Sequence, residues 1–196
     1  MSEISLLKLQ NTAALTIDKK EIERYLKMYK SEAVLDNLIS ESIKEVQKVA
    51  TLNAVFLKTS VLLKNGEILL DFDTVKSENL SKNLCSCKEA YVFCATLGIE
   101  VDRLIKKYSK IEPSRAMVID SVASALIESF CDYINEFLSE NKDLCPRFSC
   151  GYGDFDICHQ EAILSALDAA KKIGVSLNSS YMMAPSKTVT AIIGIK

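Results

Sequence analysis

The chain has 196 residues, 48% hydrophobic and 26% charged, which is typical of one globular core or two small lobes. Its 24 basic and 26 acidic side chains give a formal net charge of −2, which excludes the broadly basic surface of a general nucleic-acid-binding protein. No apolar run reaches the roughly 20 residues needed to span a bilayer, and the N-terminus lacks a signal-peptide pattern, so we expect a cytoplasmic protein that does not contact a membrane.

The predicted elements follow one another as clusters of helices and clusters of strands. In chain order they are helices over 19–29 and 31–50, strands over about 54–63, 67–72 and 89–96, helices over 100–109, 113–140 and 157–172, and strands near 175–177, 181–184 and 189–195. Asn65-Gly66 suits a hairpin turn because both residues tolerate positive φ, and Pro113 suits the first turn of a helix. Without regular strand–helix alternation, the pattern favours an α+β fold, an antiparallel sheet with flanking helices. We expect a single unit over 1–196 whose first 50 residues are helical.

Metal and catalytic signatures are missing from the sequence. Seven cysteines are scattered without a C-x-x-C pair, so the spacing of a zinc or iron–sulfur site is absent, and reduced thiols packed as small apolar groups are expected. No G-x-G-x-x-G, P-loop or G-x-S-x-G motif occurs. His159, the single histidine, can serve as a general acid or base, but a plain residue at a helix start is the more frequent case. We therefore assign no catalytic residue.

The run "RFSCGYGD" at 147–154 has the composition of a ligand-binding loop. The fork of Arg147 matches a carboxylate, Gly151 allows a close approach to the backbone, and Tyr152 can stack on a flat ring. These features suit a ligand with an amino-acid end and an aromatic base. Glu128, in the preceding predicted helix, can complement a ligand cation. The plainer alternatives are an ordered surface loop with Arg147 in a salt bridge and a solvated Glu128.

The second half of the chain resembles the activation domain of cobalamin-dependent methionine synthase, most closely its small stand-alone bacterial relatives. The family pattern is R-x-x-P-G-Y, a helix, and then G-x-x-L-x-x-S-x-x-M-x-P followed by a strand. "RFSCGYGD" and "IGVSLNSSYMMAPSKTVTAIIGI" follow this order, and "ATLG" and "ALIESF" fit upstream of them. The resemblance covers roughly 85–196, whereas the first 80 residues agree only in broad layout.

The resemblance implies an S-adenosylmethionine-binding module rather than a complete enzyme. In the family, the domain docks on a cobalamin-carrying module and, with a flavodoxin-like electron donor, supports remethylation of oxidised cobalamin. By resemblance, Arg147 holds the ligand carboxylate and Glu128 lies near its cationic end. The backbone around Phe148 and Gly151 faces the adenosine, and Tyr152 lines the pocket. The cofactors implied are S-adenosylmethionine and a cobalamin carried by the partner, a methionine synthase module.

The chain departs from the family pattern at three places. Cys150 replaces the proline before Gly-Tyr and is expected to put a thiol in the pocket. The synthase domain continues with a strand that supplies a pocket tyrosine, so we expect that contact to be missing beyond Lys196. The sequence gives no basis for assigning the family's N-terminal aspartate ligand to either Asp71 or Asp73. Two alternatives stay open: a corrinoid-protein docking partner that no longer binds S-adenosylmethionine, and an unrelated small-molecule-binding or structural protein that shares the fold.

Overall fold

The computed structural model describes residues 3–10, 12, 15–26, 33–140 and 142–196. Its helices are α1 (Lys19–Tyr25), α2 (Ala33–Val49), α3 (Glu78–Asn83), α4 (Ile99–Ile111), α5 (Pro113–Ser139), α6 (Gln160–Ala166) and α7 (Ala169–Ile173). Its strands are β1 (Ser5–Leu9), β2 (Leu52–Ser60), β3 (Leu62–Lys64), β4 (Glu67–Leu69), β5 (Thr74–Val75), β6 (Glu89–Thr96), β7 (Ser176–Leu177), β8 (Met183–Ala184) and β9 (Thr188–Ile195). Helices and antiparallel strands are combined, so the predicted α+β class is confirmed.

A four-stranded antiparallel sheet in the order β1–β2–β6–β9 forms the centre of the fold. On β6, Phe93 lies between Phe56 of β2 and Ala191 of β9. Alternate residues of a strand point to opposite faces, so Phe93 and its neighbour Val92 are fully buried in two different hydrophobic clusters. Burial on both faces explains why β6 is apolar along nearly its whole length.

The helix α5 covers one face of the sheet together with α1, α2 and α4. It begins at Pro113, in the first turn, where a missing N–H removes no helical hydrogen bond. Ile119, Leu126 and Phe130 on its buried stripe are fully excluded from solvent, and each contributes about 1.5–3 kcal/mol of burial free energy. The second cluster, with α3, α6 and α7, covers the other face. Among the described helices, none has the length and apolarity needed to cross a bilayer.

The hairpin turn at Asn65-Gly66 is confirmed, but the strand predicted before it is too long. Asn65 and Gly66 have φ values of +54° and +78°, as a tight turn of this kind requires. The predicted strand over 54–63 is two strands: β2 ends at Ser60, whose backbone N–H donates to Asp71 at 2.9 Å, and β3 starts at Leu62. The chain leaves the main sheet there, and the turn belongs to a separate sheet, β3–β4–β5.

The predicted helix over 157–172 is also divided. A 3-10 turn, Ile157–His159, leads into α6, and Asp168 then adopts a left-handed φ of +48° before α7. Aspartate is one of the few residue types that tolerate this conformation, and no glycine or proline marks the break in the sequence. The strands predicted near 175–177, 181–184 and 189–195 are confirmed as β7, β8 and β9.

The N-terminal segment holds a strand that the sequence did not reveal. β1 adds to the edge of the main sheet, with Leu7 opposite Ala54 of β2. Its five residues, "SLLKL", are too short for a clear period of two. The helix predicted over 19–29 is confirmed as α1, which ends at Tyr25 with Leu26 as its C-cap, and 27–29 lie outside the described residues.

Candidate ligand-binding cleft

A cleft of about 610 Å³ lies between α5, the loop over 147–154, the β7–β8 hairpin and the start of β9. This volume is in the range of small-molecule sites. Five of the six predicted site residues line it, and Gly151 belongs to the same loop without being one of the lining residues. The five that line it are Glu128, Arg147, Phe148, Cys150 and Tyr152. We call the segment 147–154 the cleft loop.

The edge strand β9 fixes where the cleft loop starts. Phe148 donates its backbone N–H to Ile192 at 3.0 Å and accepts the Ile192 N–H at 2.8 Å. Cys145 donates to Gly194 at 2.9 Å on the same edge. This short ladder holds Arg147 beside β9, so the terminal strand positions the cleft arginine.

The middle of the cleft loop is a compact turn that presents Tyr152. Gly151 donates to the Phe155 carbonyl at 2.7 Å, and Phe155 donates to the Tyr152 carbonyl at 3.0 Å. Gly151 has a φ of +87°, a conformation that favours glycine. Tyr152 is 69% exposed, so its ring stands at the mouth of the cleft.

Asp154 ties the end of the cleft loop to α3. Its carboxylate accepts the Ser77 hydroxyl at 2.6 Å, the Glu78 N–H at 2.7 Å and the Asn79 N–H at 3.1 Å. The bond from Ser77 leads the contacts that lower the pKa of the Asp154 carboxyl. The preceding Gly153 lies so near that an added Cβ would stand 2.7 Å from the Asn79 side-chain nitrogen. The final Gly-Asp of the motif thus serves to anchor the loop.

Arg147 is paired with two carboxylates of α5. Its Nη1 donates to Asp132 at 2.6 Å and its Nη2 donates to Glu128 at 3.2 Å. The salt bridge considered as the plainer alternative is therefore present, and Glu128 faces the arginine as well as the cleft. One guanidinium and two carboxylates give the cluster a formal charge of −1. Asp132 was missed in the sequence analysis, although its position one turn after Glu128 marks the same helix face.

Two further polar residues form the floor of the cleft. Gln160 is buried, and its amide nitrogen donates to the Thr190 hydroxyl at 2.7 Å and contacts the Met183 sulfur at 3.1 Å. The Thr190 hydroxyl lies 3.0 Å from the other end of the same amide. Neither residue was predicted. The only sequence signal was the T-V-T alternation, which directs Thr188 and Thr190 to one face of β9.

The Cys150 thiol lines the cleft, and its burial disfavours the reactive thiolate form. Cys150 is buried in the second hydrophobic cluster, and this burial raises its pKa to about 12. The thiol is protonated at neutral pH and packs as a small apolar group. Cys94, Cys131, Cys87 and Cys145 are buried as well, in line with the expected role of the thiols.

The remaining candidates have structural contacts outside the cleft. His159 ends the 3-10 turn with its Nδ1 2.7 Å from Asp73, which joins the loop before β5 to the start of α6. Asp71 accepts from Ser60 and from the Thr59 hydroxyl at 3.1 Å. Neither aspartate is among the residues that line the cleft, so the N-terminal acid of the family pattern stays unassigned.

Comparison with known proteins gives a match at the level of structure. Scans of the sequence against family models and against characterised proteins gave no match. Among solved structures, the chain is similar to a crystal structure of the MetH reactivation domain bound to AdoHcy, with a TM-score of 0.68 and 16% identity. The match covers 98% of this chain and 78% of that one. At this identity the likeness concerns the fold, and the chain has the fold of the MetH reactivation domain.

Proposed function

We propose that this chain binds S-adenosylmethionine in the cleft and serves as a reactivation module for a separate cobalamin-dependent methionine synthase. The observation that supports this most directly is the meeting of Glu128, Arg147 and Tyr152 around one cleft. The fold is that of a domain whose crystal structure contains AdoHcy. The motif residues and the fold thus point to the same ligand class.

The charges of the cleft fit the amino-acid end of this ligand. S-adenosylmethionine carries a carboxylate, an ammonium and a sulfonium, with a net charge of +1. Arg147 is the donor for the carboxylate, and Glu128 is the acceptor for the ammonium. The formal charge of −1 on the cluster with Asp132 attracts a ligand with a net positive charge.

The rest of the cleft fits an adenosine. Phe148 and the exposed ring of Tyr152 offer apolar surface on the side of the cleft loop. Gln160 on the floor carries an amide donor and acceptor, which would have to exchange its bonds with Thr190 and Met183 for those of a base edge. The chain would bind and orient the ligand, while cobalamin on the partner would supply the chemistry of methyl acceptance.

A second candidate function is favoured by one observation. Both nitrogens of the Arg147 fork already have protein carboxylates as partners. A chain that keeps the docking surface and no longer binds S-adenosylmethionine would show such a closed arrangement. In that case the protein would be a corrinoid-protein docking partner only.

A remethylation assay separates the two candidates. A cobalamin-loaded synthase module without its own activation domain, a reduced flavodoxin and S-adenosylmethionine are mixed with the chain, and methylcobalamin is followed by visible absorbance. We expect methylcobalamin to appear only with the chain present, to be lost with Arg147→Ala and to be kept with Arg24→Ala, a control on α1. Stable complex formation without ligand-dependent remethylation would support the docking partner instead. If the chain neither formed a complex nor supported remethylation, both candidate functions would be overturned.

A further inference from the structure

Two buried thiols lie in contact beside the segment that leads into the cleft loop. Cys87 Sγ and Cys145 Sγ are 3.4 Å apart, although the two residues are 58 positions apart in sequence. Cys87 belongs to the turn between α3 and β6, and Cys145 precedes Arg147 by two positions. Both side chains are almost fully buried. The fold thus brings two distant sulfurs within hydrogen-bonding distance.

A glycine on β9 makes room for this pair. A Cβ added to Gly194 would lie 2.5 Å from the Cys87 sulfur and 3.2 Å from the Cys145 sulfur. Gly194 does not have a positive φ, so its backbone conformation is open to any residue type. Conformational freedom is therefore not the reason for a glycine at this position. The space that a side chain would take is filled by the Cys87 sulfur, by Leu84 Cδ2 at 2.8 Å and by the Cys145 sulfur. The glycine therefore lets both sulfurs pack against β9, which is a second observation that they lie together.

We propose that Cys87 and Cys145 are a redox modification site that forms a reversible disulfide in the folded protein. With hydrogen peroxide as oxidant, the two S–H bonds and the O–O bond break, one S–S bond forms and two waters leave. The two thiol sulfurs are oxidised and the peroxide oxygens are reduced. A disulfide has an S–S length of about 2.05 Å, so the sulfurs approach each other by about 1.4 Å.

The cross-link would restrain the entry to the cleft loop. Cys145 donates its backbone N–H to Gly194, and a covalent bond to Cys87 would fix the same residue to the α3–β6 turn. Only Pro146 separates Cys145 from Arg147. Fixing Cys145 would therefore also restrict the movement that Arg147 needs to exchange one carboxylate partner for another. Burial and the contact with Cys87 raise the pKa of the Cys145 thiol to about 11, and the reaction should therefore accelerate as the pH rises above 7.

Peptide mapping of peroxide-treated protein tests the cross-link directly. Trypsin would release 83–88 with both Cys85 and Cys87, and 143–147 with Cys145. The Cys85→Ser variant leaves one thiol in the first peptide, which makes the assignment unambiguous. After blocking of free thiols and digestion without reductant, we expect a linked 83–88/143–147 pair that dithiothreitol removes. We also expect a rise of about 5 °C or more in the Tm of the oxidised protein, because the link closes a long loop.

The outcomes of this experiment decide the inference without reference to the ligand of the cleft. The Cys85→Ser/Cys87→Ser variant should show neither the linked pair nor the rise in Tm, and Cys158→Ser should show both. The mapping itself uses protein that retains both thiols, so it does not depend on how well the double variant folds. Treated, folded protein in which Cys87 and Cys145 stay free, or in which other cysteines pair instead, would overturn the proposal.

Discussion

Arg147 Nη1 lies 2.6 Å from Asp132 Oδ1, so the proposed ligand carboxylate would meet an arginine that already has a protein partner. The side chain of Asp132 is 69% exposed, whereas that of Glu128, the other partner of the arginine, is 46% exposed. Asp132 makes the shorter bond, 2.6 Å against 3.2 Å for Glu128, but its greater exposure lets water screen its ion pair and replace it more readily. A ligand carboxylate would therefore replace Asp132 rather than Glu128, leaving Glu128 for the ligand ammonium.

Replacing Asp132 should change which ligand the cleft prefers. Asp132→Asn raises the formal charge of the cluster from −1 to zero, which removes part of the attraction for the sulfonium of S-adenosylmethionine. AdoHcy lacks this charge and should bind equally well or better because Arg147 is freed. We expect the affinity ratio of S-adenosylmethionine to AdoHcy to fall by a factor of roughly 3, measured by calorimetry at low salt. An unchanged ratio would show that the charge of Asp132 does not contribute to the preference between the two ligands.

Asp154 should make the cleft loop sensitive to acid. Its carboxyl pKa is lowered in the folded protein, first by the Ser77 hydroxyl and then by the backbone N–H groups of α3. A lowered folded-state pKa adds stability above the unfolded value of about 3.9, and this stability is lost as the pH falls through the folded value. The Tm of Asp154→Asn should therefore lie below that of the parent protein at pH 7, and the gap should narrow below about pH 4.

A matched carboxylate shows whether this pH dependence belongs to Asp154. Glu161 is exposed on α6, and the Tm of Glu161→Gln should stay almost equal to that of the parent protein at every pH from 7 to 2.5. If the gap for Asp154→Asn stayed constant over that range, the anchoring bonds would not depend on the charge of the carboxylate.

Two glycines of positive φ form a matched pair for the anchor at α3. Gly153→Ala combines the backbone cost at a φ of +57° with a Cβ 2.7 Å from Asn79, which donates to Asp154. Gly174→Ala has the backbone cost at a φ of +69° in open space. We expect the free energy of unfolding to fall by about 1–2 kcal/mol in Gly174→Ala and by more in Gly153→Ala, as measured by urea unfolding. Equal losses would mean that Asn79 moves aside freely.

The thiols should differ sharply in reactivity. At pH 7.5, iodoacetamide should label the exposed Cys85 and Cys158 and leave Cys150 unmodified, because burial raises the pKa of the Cys150 thiol to about 12. In urea, all seven cysteines should react, which would show that the reagent can label every thiol once the protein is unfolded. Mass spectrometry of the digest gives the extent of labelling, and rapid modification of Cys150 in folded protein would show that the cleft exposes this thiol.

The sequence was informative where one short segment determines the structure. Asn65-Gly66 specifies its own turn, Pro113 marks a helix start, and the composition of 147–154 predicted the loop from which Arg147 and Tyr152 line the cleft. These features need no knowledge of distant parts of the chain, so periodicity and turn chemistry are sufficient to predict them.

The sequence was uninformative where two distant segments meet. β1 is a strand because β2 offers it an edge, and Asp132 pairs with the cleft arginine because β9 holds Arg147 opposite it. The role of Asp154 likewise depends on α3, whose N-terminus lies far away along the chain. Such tertiary contacts leave no local pattern, so the anchoring and charge-balancing residues were not found beforehand.

Titration calorimetry of S-adenosylmethionine into the intact protein tests the proposed binding most directly. We predict a Kd in the micromolar range, corresponding to about −8 kcal/mol, with a loss of binding for Arg147→Ala and no change for Arg24→Ala. Arg24 pairs with Glu21 on α1, and neither residue lines the cleft. An absence of binding heat in the intact protein, both alone and with a corrinoid-loaded partner module, would contradict the proposal, as would equal affinity in the Arg147→Ala variant.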